Sequence, residues 1–235
     1  HCRYFCRTQT PDDRRLALDP QGPELAVFAE AARELQVVLV VPFFEKAGPG
    51  VLFNSAAVYD ADGSRLGIYR KHHIPDDPGF HEKYVFSPGD TGYRVFDTRY
   101  GRIGVLICWD QWFPEAARIT AMMGADLIVY PTAIGILDDE DEDDRQRFHD
   151  AWRTVQRGHA IANSVYVAAV NRVGREGEGD GTPTPTPAAP PAGSATAAPS
   201  AHAPRSTEQG VTFWGGSFVC GPFGEMLAEA DDRPG

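Results

Sequence analysis

Cys108 closes a short apolar run, Val105–Ile107, and stands ahead of a turn, Trp109–Phe113, that leads into Pro114 and Glu115. A thiol placed there can attack an electrophilic carbon and form a covalent intermediate. The turn exposes the sulfur, offers backbone N–H groups and favours the thiolate, the arrangement that nucleophile elbows of unrelated hydrolases use. A lone cysteine is more often a small core hydrophobe, so the reading depends on its company. Lys71 ends the segment Ser64–Tyr69, and the loop over residues 72–90 carries Glu82. Loops of that length carry function more often than packing.

The elements that position these residues follow from periodicity. Val105–Ile107 and Leu127–Tyr130 read as buried strands, the second ended by Pro131, and Pro114–Met123 reads as a helix stopped by Gly124. Strand, helix and strand in so short a stretch make a βαβ unit, with Cys108 at its ligand end. Upstream, Leu25, Phe28, Ala32 and Leu35 mark one buried helical face after Gly22–Pro23–Glu24. Val37–Val41 reads as a central strand ended by Pro42, before Phe43–Phe44–Glu45, where Glu45 is a further pocket candidate. Asn54–Tyr59 and Ser64–Tyr69 read as a hairpin turning at Asp60–Gly63. Downstream, a helix over 145–162 has Phe148, Trp152, Val155 and His159 on one face, which makes Trp152 core. Val165–Val170 is a strand, and Val211–Cys220 resumes strand-like alternation.

Composition narrows the function. With 42% hydrophobic and 11% aromatic residues, the 235-residue chain is globular and is expected to form one domain. Net charge is −11, and removing the seven consecutive acids Asp138–Asp144 leaves −4. So acidic a chain is not expected to bind nucleic acid; an acidic surface suits a cationic substrate, or simply solubility. Four cysteines show neither zinc-type nor disulfide-dense spacing. His1, Cys2 and Cys6 lack a second half-site, so no metal is expected. No apolar run is long enough for a membrane span, and a reducing compartment, the cytoplasm, is expected. Residues 174–210 hold seven of the 19 prolines, alternate Thr with Pro and offer little to bury. They read as a low-complexity surface insert.

Gly101–Arg102–Ile103–Gly104 through Cys108–Trp109–Asp110 and Phe113–Pro114–Glu115 resembles the nucleophile motif of the nitrilase superfamily of carbon–nitrogen hydrolases. Tyr69–Arg70–Lys71 with His73–Ile74–Pro75 resembles its lysine motif, and Tyr4–Cys6 a stretch that follows its first catalytic motif. The run from Ile74 to Arg118 is most similar to the branch that hydrolyses N-carbamoylputrescine to putrescine, ammonia and carbon dioxide. The resemblance spans nearly the whole chain outside the insert.

The resemblance implies an α/β fold, the four-layer α-β-β-α sandwich, here without its first strand and helix and its C-terminal tail. It implies Cys108 as nucleophile, Lys71 as oxyanion stabiliser beside the backbone N–H after Cys108, and Glu82 as the supporting glutamate. Trp109, Thr132 and Ala133 are the expected substrate-binding residues, and a carbamoylated amine the expected small-molecule partner. No cofactor is implied. The family's general-base glutamate precedes the part that Tyr4–Cys6 matches, so no residue here inherits that role by motif. The alternatives are therefore another ureido or amide hydrolase, or a copy that folds without turning over. His72 replaces a small hydroxyl residue of the branch and Asp77 a glycine, which raises the question of a positive φ at 77. His72 and His73 also suggest a Cys–His dyad, against which stands the parallel strand before Cys108. Family members pair through a helical face, for which 114–123 and 145–162 are the candidates, giving a homodimer or higher homo-oligomer.

Overall fold

The computed structural model describes residues 4–177 and 210–231. Its elements run α1 (Pro23–Leu35), β1 (Leu39–Gly48), β2 (Val51–Tyr59), β3 (Arg65–Arg70), β4 (Arg94–Thr98), β5 (Gly101–Val105), α2 (Pro114–Met122) and β6 (Leu127–Thr132). There follow β7 (Gly135–Leu137), α3 (Glu142–Asn163), β8 (Tyr166–Asn171), β9 (Val173–Glu176), β10 (Val211–Trp214), β11 (Phe218–Cys220) and β12 (Met226–Glu229). Most of the proposed insert, residues 178–209, lies outside the described residues, as do His1 and Cys2. Residues 174–176 belong to β9, which pairs with β10.

The strands form a sheet β1-β2-β3, a six-stranded sheet β12-β11-β8-β6-β5-β4 and a small sheet β7-β10-β9. Alternation along β2 shows how the layers stack. Ala57 and Tyr59 face α1, where they pack with Leu25, Ala32, Val41 and Phe43. Ala56 and Val58 face the six-stranded sheet, sharing a core with Phe96 and Val105. That sheet's other face takes Ala116 and Ala117 of α2 and Trp152 and Ala160 of α3. The order is helix, sheet, sheet, helix: the four-layer α/β sandwich. The βαβ unit is present, with β5, β6 and β8 parallel.

Two prolines read as strand ends lie inside strands. Pro42 sits in β1, at the sheet's edge among the described residues, where a missing N–H costs no ladder bond. Pro131 lies past Val129, the last β6 residue paired with β5, so its missing N–H faces no partner there. Leu35, read as buried, is exposed at the end of α1. Four of the seven acids in the run start α3: Asp141 caps it, accepting from the Asp144 N–H at 2.8 Å, and Glu142, Asp143 and Asp144 lie in the first turn. Carboxylates there complement the helix dipole. Positive-φ glycines 215 and 216 break the 211–220 stretch into β10 and β11, which belong to different sheets.

Trp152 ties the outer helix layer to the turn after β5. It is fully buried, its Nε1 donates to Gln111 Oε1 at 2.9 Å, and its ring packs against Trp214 and Phe218. Trp152→Ala is expected to destabilise the fold by about 3–5 kcal/mol, read from urea denaturation midpoints.

Candidate active site

The hairpin β2–β3 delivers Lys71. One step past β3, its N–H still donates to the Asn54 carbonyl at 2.8 Å, and its own carbonyl accepts from Gly89 N at 2.8 Å. A Cβ on Gly89 would lie 2.1 Å from the Arg70 carbonyl oxygen, so only glycine lets the loop 72–90 lie this close to the lysine. The side chain of Lys71 is entirely buried, and its Nζ meets Glu82 Oε2 at 2.6 Å. Glu82, itself buried, also accepts from Tyr4 Oη at 3.3 Å and Asn54 Nδ2 at 3.4 Å. Burial alone would strip the proton from Lys71, yet Glu82, with Cys108 and Asp110, more than offsets it and holds the ammonium above the usual lysine range.

Cys108 follows β5 at the start of a one-turn 3-10 helix, Cys108–Trp112, and α2 begins only at Pro114. Its φ is +46°, the left-handed region that a residue with a Cβ rarely adopts. That conformation costs roughly 1–3 kcal/mol and points the side chain out of the strand direction, as in a nucleophile elbow. The sulfur is more enclosed than the sequence suggests: Cys108 is 8% exposed, with Sγ 3.9 Å from the Ala133 carbonyl. Burial pushes its thiol above the ordinary value; Lys71 pulls the other way but does not prevail. The expectation of a resting thiolate is therefore corrected to a neutral thiol beside an ammonium.

Two cavities meet at the sulfur. One, of about 310 Å³, places Cys108, Glu82, Trp109 and Ala133 with Phe80, Leu137 and Phe148, and has Asp77 and Glu140 in its lining. The other, of about 400 Å³, adjoins it through Cys108, Glu82 and Ala133 and reaches Tyr4, Thr132 and Arg172. Of the residues expected to bind substrate, Trp109 and Ala133 line the first cavity. Thr132 lines only the second, and its hydroxyl is turned inward to the Tyr130 carbonyl at 3.0 Å and Gln111 at 3.4 Å.

Other candidates fall away from the sulfur. Glu45 is buried against Arg70, at 2.5 and 2.9 Å, and Ser55 Oγ at 2.6 Å, and lines neither cavity. His72 stacks on Tyr93, His73 pairs with Asp110, and neither lines either cavity, which removes the Cys–His dyad. Asp77 does not take a positive φ; Gly79 does, at +76°, so the loop turns without a glycine at 77. Cys6, whose thiol burial also pushes far up, packs between Phe44, Val85 and Phe86. Tyr4 was visible in sequence only as part of a matched tripeptide; its hydroxyl contact with Glu82 spans 78 residues, and no local pattern signals it.

A strained cysteine on a strand-to-helix turn, with a buried ammonium held by a glutamate, all on a four-layer sandwich, defines a class of thiol-dependent hydrolases. The carbon–nitrogen hydrolase family matches residues 4–235. The chain is 45% identical over 231 residues to an N-carbamoylputrescine amidase of Arabidopsis thaliana, covering 98% of this chain and 68% of that protein. It is 40% identical to a citrullinase of Francisella tularensis, over 97% and 69% of the two chains. A carbon–nitrogen hydrolase from Helicobacter pylori G27 superposes with a TM-score of 0.82 at 41% identity, covering 99% of this chain and 71% of the other. The chain belongs to the carbon–nitrogen hydrolase family, the nitrilase superfamily, and is a hydrolase of non-peptide carbon–nitrogen bonds.

Because burial outweighs Lys71 at Cys108, thiolate is scarce at neutral pH and still accumulating above pH 9.0, the ordinary thiol value. Alkylation of Cys108 by iodoacetamide, followed by peptide mass spectrometry, is expected to accelerate continuously from pH 7 through pH 9, with no plateau below it.

Proposed function

We propose that the chain hydrolyses the carbamoyl C–N bond of an N-carbamoylated amine carrying a distal cation, N-carbamoylputrescine first among them, and so forms putrescine for polyamine synthesis. One observation carries this reading: besides Glu82, which is held by Lys71, the lining of the cavity at Cys108 includes two carboxylates, Asp77 and Glu140, among apolar residues such as Phe80, Leu137 and Phe148. Apolar walls suit a methylene chain and the carboxylates its terminal ammonium. None of the described residues lining that cavity is Arg or Lys. That favours a diamine derivative over citrulline, whose α-carboxylate would meet the same acids uncompensated. The N-carbamoylputrescine amidase relatives support the same choice.

In this reading the ionised sulfur of Cys108 adds to the carbamoyl carbon, and the carbonyl π pair moves onto oxygen. Lys71, with the N–H of Trp109, stabilises that oxyanion, each donor worth about 3–4 kcal/mol in known hydrolases. Collapse of the adduct breaks the C–N bond, and the amine leaves with a proton. Water then adds to the S-carbamoyl cysteine, the thiol returns, and the carbamic acid released decomposes to ammonia and carbon dioxide. Glu82 is committed to Lys71, so proton transfer falls to another base, which the nitrilase pattern supplies from a strand ahead of the region that Tyr4 matches. Three free cysteines among the described residues suit a reducing compartment, the cytoplasm in this proposal.

Ammonia release over many turnovers is expected from N-carbamoylputrescine, and little from butylurea, which lacks the distal ammonium, or from citrulline. Asp77→Asn with Glu140→Gln is expected to raise KM roughly tenfold with kcat nearly unchanged. Equal turnover of butylurea would sink the cation-recognition reading. A Cys108 adduct that accumulates without product would instead mark a chain that stalls after the first chemical step.

The helical face implied by the resemblance is apolar in the structure. Ile119 and Met122 of α2, Met123 just past its end and Ile161 of α3 are all more than 40% exposed. We propose that this face pairs two copies. Light scattering is expected to give at least a dimer, and Ile119→Asp with Met122→Asp a monomer.

A further inference from the structure

Asp110 is completely buried and lines neither cavity at Cys108, yet its carboxylate collects four donors. Oδ2 accepts from Tyr69 Oη at 2.7 Å and from Ile107 N at 2.9 Å; Oδ1 accepts from His73 N at 3.0 Å and His73 Nδ1 at 2.7 Å. The positions of these donors form a pattern. Tyr69 and His73 stand two residues before and two after Lys71. Ile107 stands one residue before Cys108, and Asp110 itself two after. One carboxylate, set two residues after the cysteine, therefore holds a side chain before the lysine, a side chain and the backbone after it, and the backbone just before the cysteine. His73 is clamped in turn, its ring stacked on Phe113 at 3.6 Å and 10°.

We propose that Asp110 is the positioning residue that sets the Lys71 ammonium against the Cys108 sulfur. The inference rests on Cys108 and Lys71 being the reacting pair of the function proposed above. Lys71 arrives on a hairpin of one sheet and Cys108 on a parallel strand of the other, so their separation depends on how the two sheets are joined beneath them. Between sheets, apolar burial is non-directional and by itself names no one alignment of the reacting side chains. Short hydrogen bonds to one buried carboxylate do name one, because each is directional and costly to leave unmade. A misplacement of the order of 1 Å is enough to cost about a hundredfold in rate at a reacting centre. The elbow's positive φ adds a second reason: Ile107 N, held by Asp110, is the last backbone donor before the strained residue.

The test reads the thiol directly and needs no substrate. In the full chain, the rate of Cys108 alkylation by iodoacetamide is followed by peptide mass spectrometry, which separates it from the buried Cys6 and Cys220. Lys71→Met is expected to slow alkylation at pH 8 about tenfold and to move the rising limb of its pH profile upward, because the sulfur loses its cation. The other charged or titratable groups around the sulfur, Glu82, Asp110 and Tyr4, remain in place, as do His73, Tyr69, Tyr93 and Tyr130 around Asp110. Asp110→Asn is expected to reproduce the slowing and the limb shift in protein that still unfolds cooperatively, and to add less than twofold in the Lys71→Met background. Should Asp110→Asn fail to fold, Tyr69→Phe removes one of the four donors and carries the same test, with about threefold slowing that vanishes on Lys71→Met.

Parent-like alkylation in the folded Asp110 or Tyr69 variant overturns the proposal, and so does a loss that adds in full to that of Lys71→Met. If Lys71→Met itself leaves alkylation unchanged, the underlying reading of the reacting pair has failed, a distinct outcome from failure of Asp110 alone.

Discussion

Everything at this site depends on keeping one ammonium charged in a place without water. Lys71 has no exposed surface, and an unpaired charge so enclosed would cost several kcal/mol. Glu82 at 2.6 Å removes most of that cost, and it can do so only because the loop 72–90 folds back over β3. The constraint propagates outward. The loop must lie against the Lys71 backbone, which requires glycine at 89, and Glu82 must itself be satisfied, which draws Tyr4 and Asn54 into place. A buried pair of this kind is a poor source of stability and a good source of specificity, since no other packing satisfies both partners.

The same enclosure sets the character of the nucleophile. Burial opposes the thiolate and Lys71 favours it, while the negative charge of Glu82 sides with burial, and together these outweigh the cation. In the proposed reaction the cation's chief part is thus in the adduct, where negative charge has moved from sulfur to oxygen, rather than in the resting protein. Donors that gain strength only as charge develops accelerate a reaction more than those that bind the ground state equally well.

Much of this was readable beforehand, and the unreadable part has a common cause. The apolar run Leu127–Tyr130 marked β6, helical spacing marked Trp152 as core, and turn residues marked the β2–β3 hairpin, whereas the run Val105–Ile107 meets β5, Gly101–Val105, only at Val105. Each of these depends on neighbours within a few positions. The resemblance to nitrilases brought Lys71, Glu82 and Cys108 together, and the geometry places them so. Pro42 and Pro131 misled because whether a proline ends a strand depends on which side of the ladder is occupied, a property of the sheet. The titration of Cys108 depends on how deeply the sulfur is covered, which no spacing reveals. Asp110 stood in plain view inside the nucleophile motif, but its side-chain partners lie 37 and 41 residues upstream.

A thiol that burial pushes above its ordinary value has a bearing on how such a protein ages. Peroxide and other oxidants attack the thiolate, not the thiol, and reach it only where solvent does. Cys108, mostly covered and with its thiol pushed up by burial, is a poor target for sulfenic acid formation. The arrangement gives up speed in the empty cleft and gains endurance against oxidants.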